Sequence, residues 1–436
     1  MKRIAFHTLG CKVNQVETEQ MIEEFTRRGY QVVDFGDPAD VYVINTCTVT
    51  HISDRKSRAM LRRAVRANPD ALVVATGCVV QVDAEQLSNI EGIGLLIGNQ
   101  AKEHIADIVT DCISGKTNKK VWVEPICLTV GLRPVLYTNP HQRTRAFVKI
   151  QDGCQSFCSY CIVPFARGPV RSKAPHDVIA EIRQLILLGY REIVLTGIHT
   201  GFYGVDIPGW NITRLIENIL LKIDGNYRIR LSSIEPLEFS DTLLALVAGD
   251  NRICRHLHIP LQSGSDRILA SMRRRYDRKQ YRELVLKAVA LIPGVAITAD
   301  VMVGYPTETE ADFEDTFNLI NDLPLYELHV FKYSLRAGTR AAELIPQVAA
   351  AEKQQRSEKL LALGSRKKKH FLQGSAGQEL TVLVERKLND YTYAGISDNY
   401  IEVHISSPVD LVGQLVPIII TAAGEEFGLS HYDAEA

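Results

Sequence analysis

The sequence predicts an α/β protein in three parts: an N-terminal parallel α/β domain, a central open six-stranded βα barrel, and a small C-terminal antiparallel β-barrel. Three observations carry this. Apolar strand-like runs alternate with amphipathic helical runs over the first hundred residues; the alternation resumes near residue 144 through six successive βα units; after residue 371 helical periodicity gives way to short β-rich runs separated by turn residues. At 436 residues the chain is too long for one ordinary core. The boundaries expected are 1–115, a linker over 116–143, 144–371 and 372–436.

In the first part, "KRIAFHTLG" is an apolar strand candidate and "VETEQMIEEFTRRG" a helix, with Ile22 and Phe25 on one face and Gly29 as its stop. "DVYVINT" is the next strand. "SDRKSRAMLRRAVRANP" follows as a helix, with Ser53 the expected N-cap and Pro69 beyond its end. "ALVVATG" is a third strand, and strands alternating with helices imply a parallel sheet. From Ser114 to Arg143 the pattern weakens, and Pro125, Pro134 and Pro140 punctuate a surface linker.

The six strands expected in the central part are "RAFVKIQ", "EIVLTGI", "RIRLSSIEP", "HLHIPLQSG", "VAITADVMVG" and "YELHVFKYS". Helices such as "HDVIAEIRQLILLG" and "EADFEDTFNLINDL" separate them, which suggests a barrel smaller than the eight-stranded form. A charged helix over 349–371 ends this part. "ELTVLVERK", "YTYAGIS", "YIEVHIS" and "GQLVPIIITAA" then follow without an intervening helix, as in a small barrel of the OB type.

Hydrophobic residues make up 46% and charged residues 23%, a soluble globular balance. "MKRIAFHTLG" lacks the apolar run of a signal peptide, and no apolar run reaches membrane-spanning length. A cytoplasmic protein without a membrane partner is expected. Nine cysteines, an odd number without a secretory signal, argue against a disulfide framework and for metal or redox chemistry. With a formal net charge of −1, a nucleic-acid partner must be held by local basic patches.

The cysteines form two sets. "DGCQSFCSYCIVPFARG" places Cys154, Cys158 and Cys161 on one loop directly after the first barrel strand. Three thiolates there can hold three irons of a cubane 4Fe–4S cluster and leave the fourth iron open, unlike the ferredoxin spacing, in which cysteines bind every iron. The alternative is a zinc knuckle completed by His176 or a distant cysteine. Cys11, Cys47 and Cys78 each lie just past the carboxyl end of an expected strand, so in a parallel sheet all three emerge on one edge. Gly10 and Gly77 let the backbone turn closely there. The competing reading is three buried cysteines acting as small hydrophobes. Cys112, Cys127 and Cys254 fit neither set and are read as structural.

"GCQSFCSYCIVPFARG" resembles the radical S-adenosylmethionine (SAM) motif Cys-x-x-x-Cys-x-x-Cys. "TLGCKVNQVETE", "NTCTV" and "TGC" resemble the N-terminal domain of the methylthiotransferases, and "RLSSIEP", "HIPLQSGSDRIL" and "VMVGYPTETEADF" look like later strand motifs of that family. The C-terminal barrel is similar to its RNA-binding TRAM domain. The resemblance covers nearly the whole chain. Lys12, Val13 and Asn14 after the first cysteine are most similar to the branch acting on threonylcarbamoyladenosine in tRNA. The isopentenyladenosine branch usually carries Gln-Met-Asn there, and the ribosomal-protein branch Pro-Lys-Asn. "FARGPVRS" points the same way. Gln155, Ser159, Thr307 and Lys332 depart from the family pattern, and none is an expected cluster ligand.

The resemblance implies a reaction with two 4Fe–4S clusters. The cluster on Cys154, Cys158 and Cys161 would bind and reductively cleave SAM. The cluster on Cys11, Cys47 and Cys78 would carry the sulfur, and a methylthio group would be placed on carbon 2 of the modified adenosine beside the anticodon. A flavodoxin or ferredoxin would supply electrons. By position and likeness Thr196, Gly197, Glu235, Gln262 and Ser263 are candidate SAM contacts at barrel strand ends. Arg55, Arg58, Arg62 and Arg66, flanked by Lys56 and Arg63, share a helix face suited to tRNA phosphates, with "RRR" at 273–275 and "RKKKH" at 366–370 as weaker basic candidates. Tyr391, Tyr393 and Tyr400 are candidates for stacking on bases. Two other functions fit less of the pattern: methylthiolation of a ribosomal protein or of isopentenyladenosine, and a non-catalytic metal-containing RNA-binding protein.

Overall fold

The computed structural model describes residues 1–126, 131–135, 137 and 143–432. Cys127 and Pro140 lie outside the described residues. The chain forms two compact units: Met1–Thr138 with Lys149–Ala174 and Ser334–Thr339, and Asn139–Val148 with Pro175–Tyr333 and Arg340–Ala436.

The first unit is built on six parallel strands: β1 (Arg3–Thr8), β2 (Gln31–Val33), β3 (Val41–Thr46), β4 (Leu72–Gly77), β5 (Ile93–Ile97) and β6 (Val121–Trp122). Their spatial order is β2-β1-β3-β4-β5-β6. Helices α1 (Lys12–Arg27), α2 (His51–Ala67), α3 (Cys78–Ser88) and α4 (Ile105–Ile113) cover both faces. Ile4, Val41 and Val43 pack with Met21, Phe25 and Ile105 on one side; Tyr42, Ile44 and Ala75 pack with Leu61, Ala64 and Val79 on the other. A strand buried on both faces reads as a continuous apolar run, as "VYVIN" does.

Three details correct the sequence reading. Thr50, not Ser53, caps α2, its hydroxyl accepting from the Ser53 N–H at 3.2 Å. Helix α1 begins at Lys12, earlier than apolar periodicity indicates, because its first buried positions include polar Asn14, Glu17 and Thr18. The segment expected as pure linker contributes β6, paired to β5 through Leu96 and Ile97. The same unit contains a short hairpin: after Lys149, strand β8 (Gln151–Asp152) pairs antiparallel with β9 (Arg171–Ser172), and between them lie the cysteine loop and α5 (Val163–Arg167).

In the second unit β7 (Arg145–Lys149, of which Lys149 falls in the first unit), β10 (Glu192–Thr196) and β11 (Arg228–Leu231) form one three-stranded sheet. Strands β12 (His256–His258), β13 (Ala296–Val303) and β14 (Glu327–Lys332) form a second. A bridge from Ile229 to Ile253 links the two, so six strands follow in chain order while β7 and β14 stay unpaired with each other among the described residues. This is the expected open barrel. Helices α6 (Pro175–Leu187), α7 (Ile212–Lys222), α8 (Asp241–Gly249), α9 (Asp266–Ser271), α10 (Arg278–Leu291) and α11 (Glu310–Asp322) connect the strands.

Helix α12 (Ala350–Gly374) leads into β15 (Glu379–Asn389), β16 (Thr392–Ser397), β17 (Glu402–Ser406), β18 (Leu415–Ile419), β19 (Ala422–Ala423) and β20 (Gly428–His431). These strands make one curled sheet, antiparallel except for the parallel β17–β20 pair. Its core of Leu380, Val382, Val403, Ile405 and Val416 is continuous with Ala296, Tyr326 and Leu372 of the same unit. Among the described residues, no helix is long and apolar enough to cross a membrane.

Candidate functional site

The strand order of the first unit reverses direction between β1 and β3, and crevices at such switch points, outside the carboxyl ends of the strands, are where open α/β sheets bind ligands. Cys11 is the N-cap of α1, three residues past the end of β1; Cys47 directly follows β3; Cys78 opens α3 directly after β4. Register pairs Thr8 with Asn45 and Thr46 with Gly77, so the three strands end level and deliver the three cysteines to one edge. Both glycines are needed. Gly10 and Gly77 have φ of +98°, and a Cβ on Gly10 would fall 2.7 Å from Cys47 Sγ while one on Gly77 would fall 2.5 Å from the Thr46 carbonyl. Cys47 and Cys78 are buried, whereas Cys11 is open to solvent. Burial, together with the neighbouring Cys78 and Cys11, pushes the Cys47 thiol up to about 11.

A buried ion network backs this edge. Glu17 on α1 takes Lys102 Nζ at 2.6 Å, Lys149 Nζ at 2.7 Å and the Arg167 guanidinium. Asp152 takes Lys149 at 2.7 Å and Arg167 and Arg171 at 3.3 Å each. Four cations thus surround two carboxylates. Burial pushes the Asp152 carboxyl up, but Lys149 and Arg167 outweigh it and hold it at about 2. A cavity of about 260 Å³ lined by Glu23, Lys102, Lys149, Asp152 and Lys173 opens beside the network.

Asn14 and Asn99 join the network to the cysteines. The Asn14 amide donates to the carbonyls of Leu9 (2.7 Å) and Thr46 (3.1 Å), and its oxygen accepts from Arg167. Asn99 Nδ2 donates to the Ala166 carbonyl at 2.7 Å and to Cys78 Sγ at 3.8 Å. Sequence reading singled out none of Glu17, Asn99 and Arg167 as site residues. The available signal was charged residues inside the quoted motifs, as in "NQVETE" and "FARG".

The loop of Cys154, Cys158 and Cys161 is shaped by its own backbone. Gly153 has φ +75°, and a Cβ there would lie 1.8 Å from the Pro169 carbonyl. The Cys154 N–H donates to the Gly168 carbonyl at 3.0 Å and the Cys161 N–H to the Cys158 carbonyl at 2.9 Å, which leaves the three half-buried cysteines on one tight turn. Phe157, at φ +46°, stands exposed edge-on to Phe165. His176 is 84% exposed beside Asp177. No three His, Cys, Asp or Glu side chains among the described residues converge on a single-ion site. A cubane asks for less convergence, because each iron takes one thiolate.

In the second unit the expected SAM contacts lie at the carboxyl ends of the barrel strands, but their side chains differ in availability. Thr196 ends β10 and is buried, with Gly197 half-buried after it. Glu235 is held by Arg274 and caps the short turn that follows. Gln262 has φ +62° and is fixed by backbone bonds to Asp300 and Met302. The Ser263 hydroxyl is fully buried against Thr316 and the Ser265 N–H. His258 Nε2 lies 3.2 Å from Asp300 Oδ1.

The nucleic-acid candidates sort similarly. Arg55, Arg62, Arg63, Arg66 and Lys56 are exposed on α2, but Arg58 is committed to Asp54 and Asp83. Arg274 is spent on Glu235, while Arg273 and Arg275 are exposed. Lys367 donates to the Asn321 and Leu323 carbonyls and Lys368 pairs with Glu327, which leaves Arg366, Lys369 and His370 outward. Tyr391 is 68% exposed. Tyr393 is buried in the C-terminal core, and Tyr400 stacks on His256 at 4.2 Å, so neither presents a free face. Cys254 is buried, and burial pushes its thiol up to about 11; Cys112 packs at the edge of the first core.

Known proteins resemble the chain along nearly its whole length. Residues 3–98 match the model of the uncharacterized protein family UPF0004, and residues 148–320 match that of the radical SAM superfamily. The threonylcarbamoyladenosine tRNA methylthiotransferase MtaB of Bacillus subtilis (strain 168) is 40% identical, covering 97% of this chain and 95% of its own. The tRNA-2-methylthio-N(6)-dimethylallyladenosine synthase of Geobacillus thermodenitrificans is 35% identical over 97% of this chain and 82% of its own. Among solved structures, the radical SAM methyltransferase TsrM from Kitasatospora setae matches with a TM-score of 0.61 at 14% identity, over 78% of this chain and 74% of its own, a likeness of fold.

Proposed function

The chain belongs to the radical SAM tRNA methylthiotransferase family, and on that premise we propose that it converts threonylcarbamoyladenosine beside the anticodon to its 2-methylthio derivative with two 4Fe–4S clusters. The observation that carries the two-cluster reading is the delivery of Cys11, Cys47 and Cys78 to one edge at the topological switch point. Three thiols backed by an excess of buried cations suit an anionic iron–sulfur group better than a hydrophobic core. The substrate assignment is supported by Lys12-Val13-Asn14 and by the full-length likeness to the Bacillus subtilis enzyme.

In this reading Cys154, Cys158 and Cys161 would hold an iron–sulfur cluster that would supply the electron for SAM cleavage, and Cys11, Cys47 and Cys78 would hold a second that would carry the sulfur. Thr196, Gly197 and Gln262 contact SAM from the barrel edge; Glu235 and Ser263, whose side chains are spent within the protein, act through their backbone. Binding, orientation and exclusion of water are the protein's share. The C-terminal sheet serves as a TRAM-type RNA module, with a flavodoxin or ferredoxin as reductant in the cytoplasm.

Mass spectrometry of tRNA nucleosides from cells lacking this chain tests the substrate. Threonylcarbamoyladenosine should accumulate, and its methylthio form should return when the chain is restored. Return of methylthiolated isopentenyladenosine alone would assign the other tRNA branch, and a methylthiolated ribosomal protein the third.

The exposed face of α2 supplies a second test. Reversing Arg55, Arg62 and Arg66 to Glu removes cations that have no acidic partner among the described residues, so folding should be unaffected. Affinity for tRNA should fall at least tenfold, and the slope of log K against log salt should flatten by about two to three units. An unchanged slope would remove α2 from the interface.

A further inference from the structure

Two buried arginines from different segments of the first unit contact the helices that follow Cys11 and Cys47. Arg167, at the end of α5, is 1% exposed. Its Nη atoms serve Glu17, Asp152 and Asn14, but its Nε–H has no acceptor among the described residues. Its neighbour Ala166 shares Asn99 with Cys78, and its partner Asn14 holds the carbonyl of Thr46, the residue before Cys47. Arg336 lies in the Ser334–Thr339 segment of the same unit and is 7% exposed. Asp54 Oδ2, on the helix that follows Cys47, lies 3.6 Å from its Nη1, while Nε and Nη2 have no acceptor among the described residues. The charge of Arg167 acts on Cys11 and Cys78, and that of Arg336 on Cys47.

A guanidinium stays charged in a protein and cannot shed the protons it fails to place. Burying one with idle N–H groups is costly unless an acceptor completes it. Two such groups against the helices that carry these thiols, from chain positions far apart, mark a place for an anion with several acceptor atoms. The thiol-ligated iron–sulfur group proposed above is such an anion, and hydrogen bonds to its sulfurs set its potential.

We propose that Arg167 and Arg336 are positioning residues for the N-terminal cluster, their idle N–H groups donating to its sulfur atoms and thereby raising its reduction potential. The inference rests on the two-cluster reading, and the experiment separates the two. Cys154, Cys158 and Cys161 are all replaced by Ala, so that only the N-terminal site can hold iron. The protein is labelled with [15N]arginine, reconstituted anaerobically with iron and sulfide, reduced, and examined by pulsed EPR and redox titration. Hyperfine coupling from arginine 15N is expected on the cluster signal. It should weaken in both Arg167→Lys and Arg336→Lys, and the midpoint potential of each should shift negative. Arg171→Lys, in the same ion network but without a contact to the residues flanking the cysteines, should shift neither. A cluster with no 15N coupling would mean that water fills these donors, and the inference would fail. An equal shift in Arg171→Lys would reduce it to general network charge and also overturn it. No cluster at all in the labelled parent would instead sink the two-cluster reading. Should a lysine variant not fold, the coupling in the parent still decides, because the label perturbs nothing.

Discussion

Cys158→Ala is expected to abolish formation of 5′-deoxyadenosine, whereas Cys47→Ala should leave it measurable; both should reduce tRNA methylthiolation to background. The two cysteines occupy different constructions. Cys158 belongs to a turn whose shape depends on Gly153 and on the Cys154–Gly168 and Cys161–Cys158 backbone bonds, none of which involves its thiol. Losing that thiol removes a ligand without unfolding the loop, so the SAM-binding iron–sulfur group cannot assemble. Cys47 sits at the level edge of the parallel sheet, where its N–H is held by the Ser57 hydroxyl at 3.2 Å. Its replacement by Ala keeps that bond and the β3 register, and empties only the N-terminal triad. Iron should fall by about half in each variant, since one cluster of two remains. The comparison is anaerobic, with iron, 5′-deoxyadenosine and modified nucleoside measured in parallel. Normal methylthiolation by Cys47→Ala over many turnovers would show that the N-terminal triad is not catalytic.

The thiol positions were legible in the sequence because they depend on local order: a strand, a tight glycine turn, a cysteine. Strand alternation alone then places Cys11, Cys47 and Cys78 on one edge. What surrounds them was not legible. Glu17 meets Lys102, Lys149 and Arg167 across sequence separations of 85, 132 and 150, which no periodicity encodes. A buried Glu at a helix position next to Val16 looks like an ordinary solvent-facing residue until its cations are seen. The short strands β2 and β6 were missed for the opposite reason: three and two residues carry too little pattern. The basic and aromatic candidates show the same limit. Arg58, Arg274, Tyr393 and Tyr400 have the residue type RNA contacts need, yet each is occupied within the protein by partners distant in sequence or by the core.

Glu192→Ala is expected to destabilise the second unit by about 3–5 kcal/mol, because it breaks a buried ion cluster from one side only. Glu192 is fully buried and accepts from Arg228 Nε at 2.6 Å and from Arg230 Nε at 2.7 Å. The two guanidiniums spend their remaining donors on the C-terminal sheet: Arg228 on the Thr381 and Ile396 carbonyls at 2.6 and 2.7 Å, Arg230 on Ser397 and Asp398 at 2.9 and 3.2 Å. Tyr400 stacks on His256, and Arg255 pairs with Asp398 at 2.6 Å. The C-terminal sheet is therefore seated on the amino-terminal ends of the barrel strands, away from the strand ends that carry the SAM candidates. Burial pushes the Glu192 carboxyl up, but Arg228 and Arg230 outweigh it and hold it well below the usual range. A carboxylate depressed in the folded state stabilises above its unfolded pKa of about 4.3 and loses that contribution as pH falls below it. The denaturation midpoint of the unaltered protein should thus drop on acidification through pH ~4, and Glu192→Gln should blunt the drop. Ending the chain at Gly374 is the larger insult. It strips four carbonyl acceptors from two buried arginines and opens the core that Leu372, Ala296 and Tyr326 share with the sheet. Such a chain should lose cooperative unfolding and SAM binding together, so a truncation cannot isolate an RNA-binding role; Tyr391→Ala, at an exposed position, can. Urea unfolding with SAM binding as a second readout checks both variants. A truncated chain that unfolds cooperatively and binds SAM normally would show that the sheet is an appendage, and the arginines would then need another source of acceptors in its absence.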